Sequence, residues 1–272
     1  LEVKSLVRDG EVVQSGIVLL RLQGSARSIL AGERTALNFL GRLSGISQAT
    51  HQGVGRLKGG KLVATRKTTP GLRMLEKWAV VCGGGESHRF GLDDGVLIKD
   101  NHVALAGGVV EALQKVQRGA PHLIKIEIEV DTLHQLHQLL SVVEEHQLKL
   151  DAILLDNFSL TDLRQAVQQV GGRWLLEASG GIRLANLSEV SATGVDLISL
   201  GSLTHSVTNF DVAQSSITKG ESVRETIETL QAMRTDYVIV RHKASGLPGT
   251  IARLTRASVI NAGDGAHAHP PQ

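Results

Sequence analysis

The sequence is poor in aromatic residues, has a single cysteine and shows no excess of either charge. Aromatics make up 3% of the 272 residues, so the core must be built from Leu, Val, Ile and Ala, and a stacking platform for single-stranded nucleic acid is not expected. Cys82 is the only cysteine. That excludes an internal disulfide framework and a multi-cysteine zinc site, and suits a reducing, cytoplasmic setting. With 29 Lys+Arg against 27 Asp+Glu the formal net charge is +2, which argues against general polyanion binding, nucleic acid included. No apolar run approaches the roughly 18 to 20 residues of a membrane span, so no membrane partner is expected. Leu1-Glu2-Val3-Lys4 has neither an initiator Met nor the apolar stretch of a signal peptide, which leads us to expect a start inside a longer protein. What is present is 42% apolar and 21% charged, enough to bury the core of one large or two modest domains.

The chain changes rhythm along its length. Leu6 to Val13 carries an Asp9-Gly10 hairpin signal and Gly16 to Leu22 is a second β-like run, together predicting a small sheet. From Ala26 to about Leu57, Ile29, Leu30, Leu37, Leu40 and Leu43 recur at helical spacing with Gly41 and Gly45 as punctuation, predicting two helices that meet near Gly45. From Lys61 six short apolar runs follow, at 61–66, 95–99, 124–129, 152–156, 174–179 and 197–201, separated by amphipathic stretches at 109–116, 133–143, 160–170 and 184–192. Strand followed by helix, repeated, implies parallel strands in a barrel or a doubly wound sheet.

Ligands of such sheets sit at the C-terminal strand ends. Here those ends carry Arg66 and Lys67, Lys99, Glu129, Asp156, Ser179-Gly180-Gly181, and Gly201-Ser202. Between Arg56 and Lys99 there are nine Lys+Arg and four Asp+Glu, a local excess of cations that points to an anionic ligand. Arg66, Lys67, His88, Arg89 and Lys99 offer guanidinium, imidazole and ammonium groups suited to carboxylate or phosphate. Glu129 and Asp156 end successive strands, where they either pair with neighbouring cations or hold Mg²⁺ as metal ligands; Glu127 shares the face of Glu129 but lies deeper. The glycines after the last two strands let backbone N–H groups approach phosphate, and two adjacent cradles of this kind suit a phosphorylated sugar. His102 is open to a catalytic or a structural reading, and Cys82 is read as a packing residue.

Residues 1 to about 208 resemble the quinolinate phosphoribosyltransferases. The likeness rests on linked motifs in order: Glu33-Arg34-Thr35-Ala36-Leu37-Asn38, Leu43-Ser44-Gly45-Ile46, Thr65-Arg66-Lys67-Thr68-Thr69-Pro70-Gly71-Leu72-Arg73, Gly83-Gly84-Gly85, His88-Arg89, Ile98-Lys99-Asp100-Asn101-His102, Glu127-Ile128-Glu129-Val130, Leu154-Leu155-Asp156-Asn157-Phe158, Glu177-Ala178-Ser179-Gly180-Gly181 and Gly201-Ser202-Leu203-Thr204-His205-Ser206. The resemblance implies an α/β fold, an incomplete parallel β/α barrel preceded by a truncated α/β sandwich domain, assembled as a homodimer whose partner donates Arg34. It also implies a pentosyl transfer: quinolinate and phosphoribosyl pyrophosphate give nicotinate mononucleotide, pyrophosphate and carbon dioxide, with Mg²⁺ as cofactor. Lys67, Lys99, Glu129 and Asp156 would be catalytic, with Glu129 and Asp156 as metal ligands. Substrate binding would fall to Arg34, Arg66, Lys67, His88, Arg89, Lys99, Ser179, Gly180, Gly181, Gly201, Ser202 and His205.

From about Phe210 to Gln272 the chain resembles a fragment of the carbamoyl-phosphate domain of aspartate carbamoyltransferase, through Lys219-Gly220-Glu221-Ser222, Val240-Arg241-His242, Val259-Ile260-Asn261-Ala262-Gly263-Asp264-Gly265 and His269-Pro270-Pro271-Gln272. Lys219, Arg241, His269 and Gln272 match its ligand-binding positions, but no Ser-Thr-Arg-Thr-Arg loop occurs, so no carbamoyl transfer is expected. His267 and His269 lack a third ligand at suitable spacing and are not read as a metal site. The resulting division is a sandwich domain over 1–58, a barrel over 59–208 and an α/β fragment over 209–272. Two alternatives to the enzyme reading stay open, a chimeric fragment without activity and a remnant that binds carbamoyl phosphate.

Overall fold

The computed structural model describes residues 1–212, 237–242, 253 and 258–264. Contacts divide the chain into two units, one formed by 1–6, 20–37 and 212–272 and the other by 7–19 and 38–211. In the first, β1 (Glu2–Ser5) pairs antiparallel with β2 (Leu20–Gln23). The strands therefore lie outside Leu6–Val13, where the Asp9-Gly10 signal predicts them. Asp9 and Gly10 do form a turn, but its flanks run along the second unit. Gly10, at φ +81°, backs so closely onto the Cys82 carbonyl that a Cβ would lie 2.6 Å from the oxygen, and Asp9 accepts a hydrogen bond from the Trp78 indole.

Helix α1 (Ala26–Val54) is continuous over 29 residues, where the glycine punctuation predicts two helices. Gly41 and Gly45 serve close approach instead of chain breaking: a Cβ on Gly41 would stand 2.9 Å from the Phe210 carbonyl, and Gly45 faces Thr208 in the same way. The Phe210 N–H donates to the Gly41 carbonyl at 2.8 Å. A propensity penalty of about 1 kcal/mol per glycine is thus offset by tertiary contact.

The second unit is built on β3 (Lys61–Ala64), α2 (Arg73–Cys82), β4 (Glu86–Ser87), β5 (Val96–Ile98), α3 (Asp100–Ala106), α4 (Val109–Gly119), β6 (Ile126–Val130), α5 (Leu133–Glu145), β7 (Ala152–Asp156), α6 (Leu160–Val170), β8 (Leu175–Ser179), α7 (Leu187–Ser191), β9 (Leu197–Leu200) and α8 (Ser202–His205). The six runs expected from the sequence are all strands; β4, only two residues long, is an addition. The sheet order is β4-β3-β9-β8-β7-β6-β5, and every pairing is parallel. First strand pairs with last, as in a barrel, and the ring stays open between β4 and β5. This is an incomplete parallel β/α barrel.

Each strand sends one set of side chains toward the helices. Ile126, Ile128, Ile153, Leu155 and Ile198 are buried there with Leu136 and Leu139 of α5 and Leu163 of α6. Helix starts follow local capping chemistry: Thr132 and Ser159 accept from the N–H groups of Gln135 and Asp162. The opposite set includes Glu127 and Glu129 of β6, Asp156 of β7, and Glu177 and Ser179 of β8, which parallel registration places on one face. Among the described residues no helix is long and apolar enough to cross a membrane.

Further along, β10 (Tyr237–His242) pairs in parallel with β11 (Ser258–Asp264). Arg241 belongs to β10. Lys219, His267, His269 and Gln272 lie outside the described residues.

Candidate active site

The open seam and the C-terminal strand ends gather the cations. Arg66 follows β3, and its Nε is buried without a hydrogen-bond partner. Arg89, just past β4, donates to the Gly95 carbonyl at 3.1 Å. Burial first and then the charge of Arg66 push the Arg89 pKa below its ordinary value, so two guanidinium groups share one neighbourhood. Like charges held together this way are relieved by an anion. Lys67 is exposed beside them, and its Cδ lies where a Cβ on Gly201 would approach within 3.1 Å. The β3 and β9 ends therefore meet, and the Thr204 hydroxyl fastens them by donating to the Lys67 carbonyl at 2.7 Å.

Two adjacent buried charges of α2 hold this arrangement from behind. Glu76, with 0% of its surface exposed, takes the Arg42 guanidinium at 2.8 Å and the Thr69 N–H at 3.0 Å. Arg42 also donates to the Thr69 hydroxyl and the Thr204 carbonyl, each at 2.8 Å. Lys77 sends its ammonium to the carbonyls of His88 at 2.7 Å, Arg89 at 3.0 Å and Ala64 at 3.4 Å. Burial lowers the Lys77 pKa to about 8.

His88 sits over the barrel interior. Its Nε2 is 2.9 Å from Glu127 and 3.2 Å from Glu177. Burial of the ring disfavours its charge, but the hydrogen bond to Glu127 and the close charges of Glu177 and Glu127 outweigh that and push the pKa up to about 9. Glu127, deeply buried, is raised above the usual carboxylate range.

The carboxylates at the rim form a second group. Glu129, Asp131 and Asp156 bring oxygens within 4.8 Å of one another, and Lys99 reaches Glu129 at 2.7 Å. Glu129 registers with Leu154, one inward-facing step below Asp156, so the two acids reach each other diagonally. Asp131, one residue past β6, escapes sequence reasoning because it follows the apolar run. An all-carboxylate set of hard oxygen donors fits a divalent cation such as Mg²⁺ or Mn²⁺ and not a thiophilic metal. His102 takes the structural role: its Nδ1 accepts the Lys99 N–H at 2.9 Å, capping α3.

After β8, Ser179, Gly180 and Gly181 border a cavity of 310 Å³ shared with Asn157, Ser159 and Asn186. Gly180 and Gly181 have φ of +81° and +60°, a left-handed turn that favours glycine, and a side chain on Gly180 would collide with Asn157. Asn157 is itself at φ +56°, and its amide donates to Asp156 at 2.7 Å. Gly201, Ser202 and His205 lie at the neighbouring β9 end, with His205 Nδ1 2.6 Å from the Ser206 hydroxyl. Arg34 is exposed on α1 and belongs to the other unit.

Comparison with known proteins places the chain in a family. Residues 46–214 match the family model "Quinolinate phosphoribosyl transferase, C-terminal domain" and residues 1–44 match its N-terminal domain. Residues 194–272 match "Aspartate/ornithine carbamoyltransferase, carbamoyl-P binding domain". The chain is similar to a probable nicotinate-nucleotide pyrophosphorylase [carboxylating] of Bacillus subtilis, 43% identical over 220 residues that cover 80% of this chain and 74% of the relative. It is 48% identical over 211 residues to the nicotinate-nucleotide pyrophosphorylase [carboxylating] of Mycobacterium leprae, covering 76% and 72%. The crystal structure of NadC from Streptococcus pyogenes superposes with a TM-score of 0.74 at 38% identity, covering 80% of this chain and 75% of that one. With both halves of the family matched in order and the barrel shared, the chain belongs to the quinolinate phosphoribosyltransferase family.

Proposed function

We propose that this chain transfers the phosphoribosyl group of phosphoribosyl pyrophosphate to the ring nitrogen of quinolinate and releases carbon dioxide, giving nicotinate mononucleotide and pyrophosphate, with residues 59–208 carrying the chemistry. The observation that supports it most is the pairing of Arg66, whose buried Nε has no partner, with Arg89 at the open seam. Such a pair suits the two adjacent carboxylates of a planar dianion, which guanidinium groups meet through paired hydrogen bonds. His88 adds a third cationic contact, and Arg34, exposed and without an ion pair among the described residues, is the contact we assign to the partner of a homodimer. The setting we propose is cytoplasmic.

Lys67 and Lys99 receive the phosphates and pyrophosphate, while the Ser179-Gly180-Gly181 turn and the Gly201-Ser202 end with His205 hold the ribose phosphate through backbone N–H groups. Holding two anions together overcomes their repulsion and sets the ring nitrogen against the anomeric carbon. The nitrogen lone pair forms the new bond while the carbon–oxygen pair leaves with pyrophosphate. Glu129 and Asp156 face the positive charge that develops on the ribose. With Asp131 they form the set that would hold the divalent cation of the family, which we take to be Mg²⁺ and which would supply positive charge against pyrophosphate. The electron pair of the breaking carbon–carboxylate bond stays on the ring carbon, where the adjacent positive pyridinium nitrogen stabilises it until it takes up a proton.

Arg66→Ala tests the anion site. It should weaken quinolinate binding, read by calorimetry, about a hundredfold, since a charge-assisted contact contributes roughly 1.5 to 3 kcal/mol. Unchanged affinity contradicts the assignment.

A further inference from the structure

Two carboxylates converge on one ring nitrogen. Glu127 comes from β6 and Glu177 from β8, two strands apart, and His88 enters from the segment beyond β4. Glu177 is 2% exposed and Glu127 8%; Glu127 Oε1 has no hydrogen-bond partner, and Glu177 Oε2 meets the ring as an ion pair at 3.2 Å without a hydrogen bond. Burying two carboxylates is costly unless a cation answers them. A neutral imidazole bonded through Nε2–H can satisfy one of them and leaves Nδ1 as a lone pair, which repels an approaching carboxylate. Both acids meet the same Nε2, so protonation adds no bond to either; the imidazolium answers their charge and makes Nδ1–H a donor.

Other charged groups stand close by: Arg89 lies by Glu127, with Arg66 and Asp94 next to Arg89. The guanidinium groups oppose a further cation, so the seat falls to the two acids. The Lys77 ammonium is engaged by the His88 and Arg89 carbonyls, so the main chain is fixed and only the ring orientation is left to the acids. Nδ1 has no partner among the described residues.

We propose that Glu127 and Glu177 are positioning residues which seat the His88 ring by Nε2, hold it as a cation and thereby make Nδ1–H a donor for a carboxylate of the aromatic substrate. The identity of that substrate rests on the reading above; the seat itself does not.

The test is an NMR titration of the His88 ring in the full chain, assigned with His88→Gln, alongside quinolinate KM and kcat from pH 6 to 9 for the unaltered protein and Glu177→Gln. In the unaltered protein His88 should stay protonated through pH 8, and KM should be flat to pH 8. In Glu177→Gln the titration should move toward the ordinary histidine range near 6.5, and KM should rise roughly tenfold per pH unit above it while kcat keeps its pH profile. A KM raised equally at every pH overturns the proposal, because loss of packing alone would do that. If the variant does not fold, the unaltered protein decides, since an ordinary titration of His88 there overturns the seat. A raised titration without quinolinate turnover upholds the seat and removes the substrate reading, whereas turnover with an ordinary titration does the reverse.

Discussion

Removing Glu76 should loosen the cation cluster from behind. In Glu76→Ala the Arg42 guanidinium loses its only ion pair among the described residues, and the Thr69 N–H loses its acceptor. Breaking a buried pair from one side costs about 3 to 5 kcal/mol. Arg42 keeps 27% of its side chain in contact with water and retains its bonds to Thr69 and Thr204, which places the loss near the lower end. Against a total stability of about 5 to 15 kcal/mol, a loss of about 3 is large. With a urea dependence of about 2 to 3 kcal/mol per molar, the unfolding midpoint should fall by roughly 1 M. Residues 66–69 should loosen as well, so quinolinate affinity should drop beyond what partial unfolding explains. Glu76→Gln, which keeps an acceptor oxygen, should recover part of both. A stability loss under about 1 kcal/mol with native affinity would refute the view that α2 braces the anion site.

Two other substitutions separate bracing from chemistry. Lys77→Met removes the ammonium that gathers the His88, Arg89 and Ala64 carbonyls; relief of the buried charge offsets part of the lost bonding, so stability should change by about 1 kcal/mol or less while quinolinate KM rises about tenfold, and an unchanged KM contradicts the bracing role. Asp156→Asn should raise the Mg²⁺ concentration for half-maximal turnover at least about tenfold with less effect on quinolinate affinity, and equal losses in both would argue against its place in the cation set.

The barrel was readable because its strands are short apolar runs, each closed by a polar residue, and that rhythm survives any side-chain detail. Arg66, Lys67, Lys99, Glu129 and Asp156 were legible for the same reason, since a charge at the edge of a core stands out. What escaped is tertiary. Gly41 and Gly45 read as helix punctuation until the Thr208–Phe210 segment is seen against them. Two-residue β4 carries no periodicity, and Asp9-Gly10 makes its turn between stretches whose partners lie far along the chain. Glu76, Lys77 and Glu177 look like ordinary surface charges on amphipathic or strand patterns. Their burial depends on partners 11 to 89 positions away, among them Arg42 with Glu76, His88 with Lys77, and His88 with Glu177, and no local signal announces those pairings. The resemblance to a family supplied the substrate; the geometry supplied the reason that cations crowd the seam.

The most direct test is quinolinate-dependent release of carbon dioxide by the full chain in the presence of phosphoribosyl pyrophosphate and Mg²⁺. Release should equal in moles the pyrophosphate formed, be abolished when either substrate is withheld and be lost in Arg66→Ala at low quinolinate. Folded protein that binds neither substrate and releases no carbon dioxide would contradict the proposed activity.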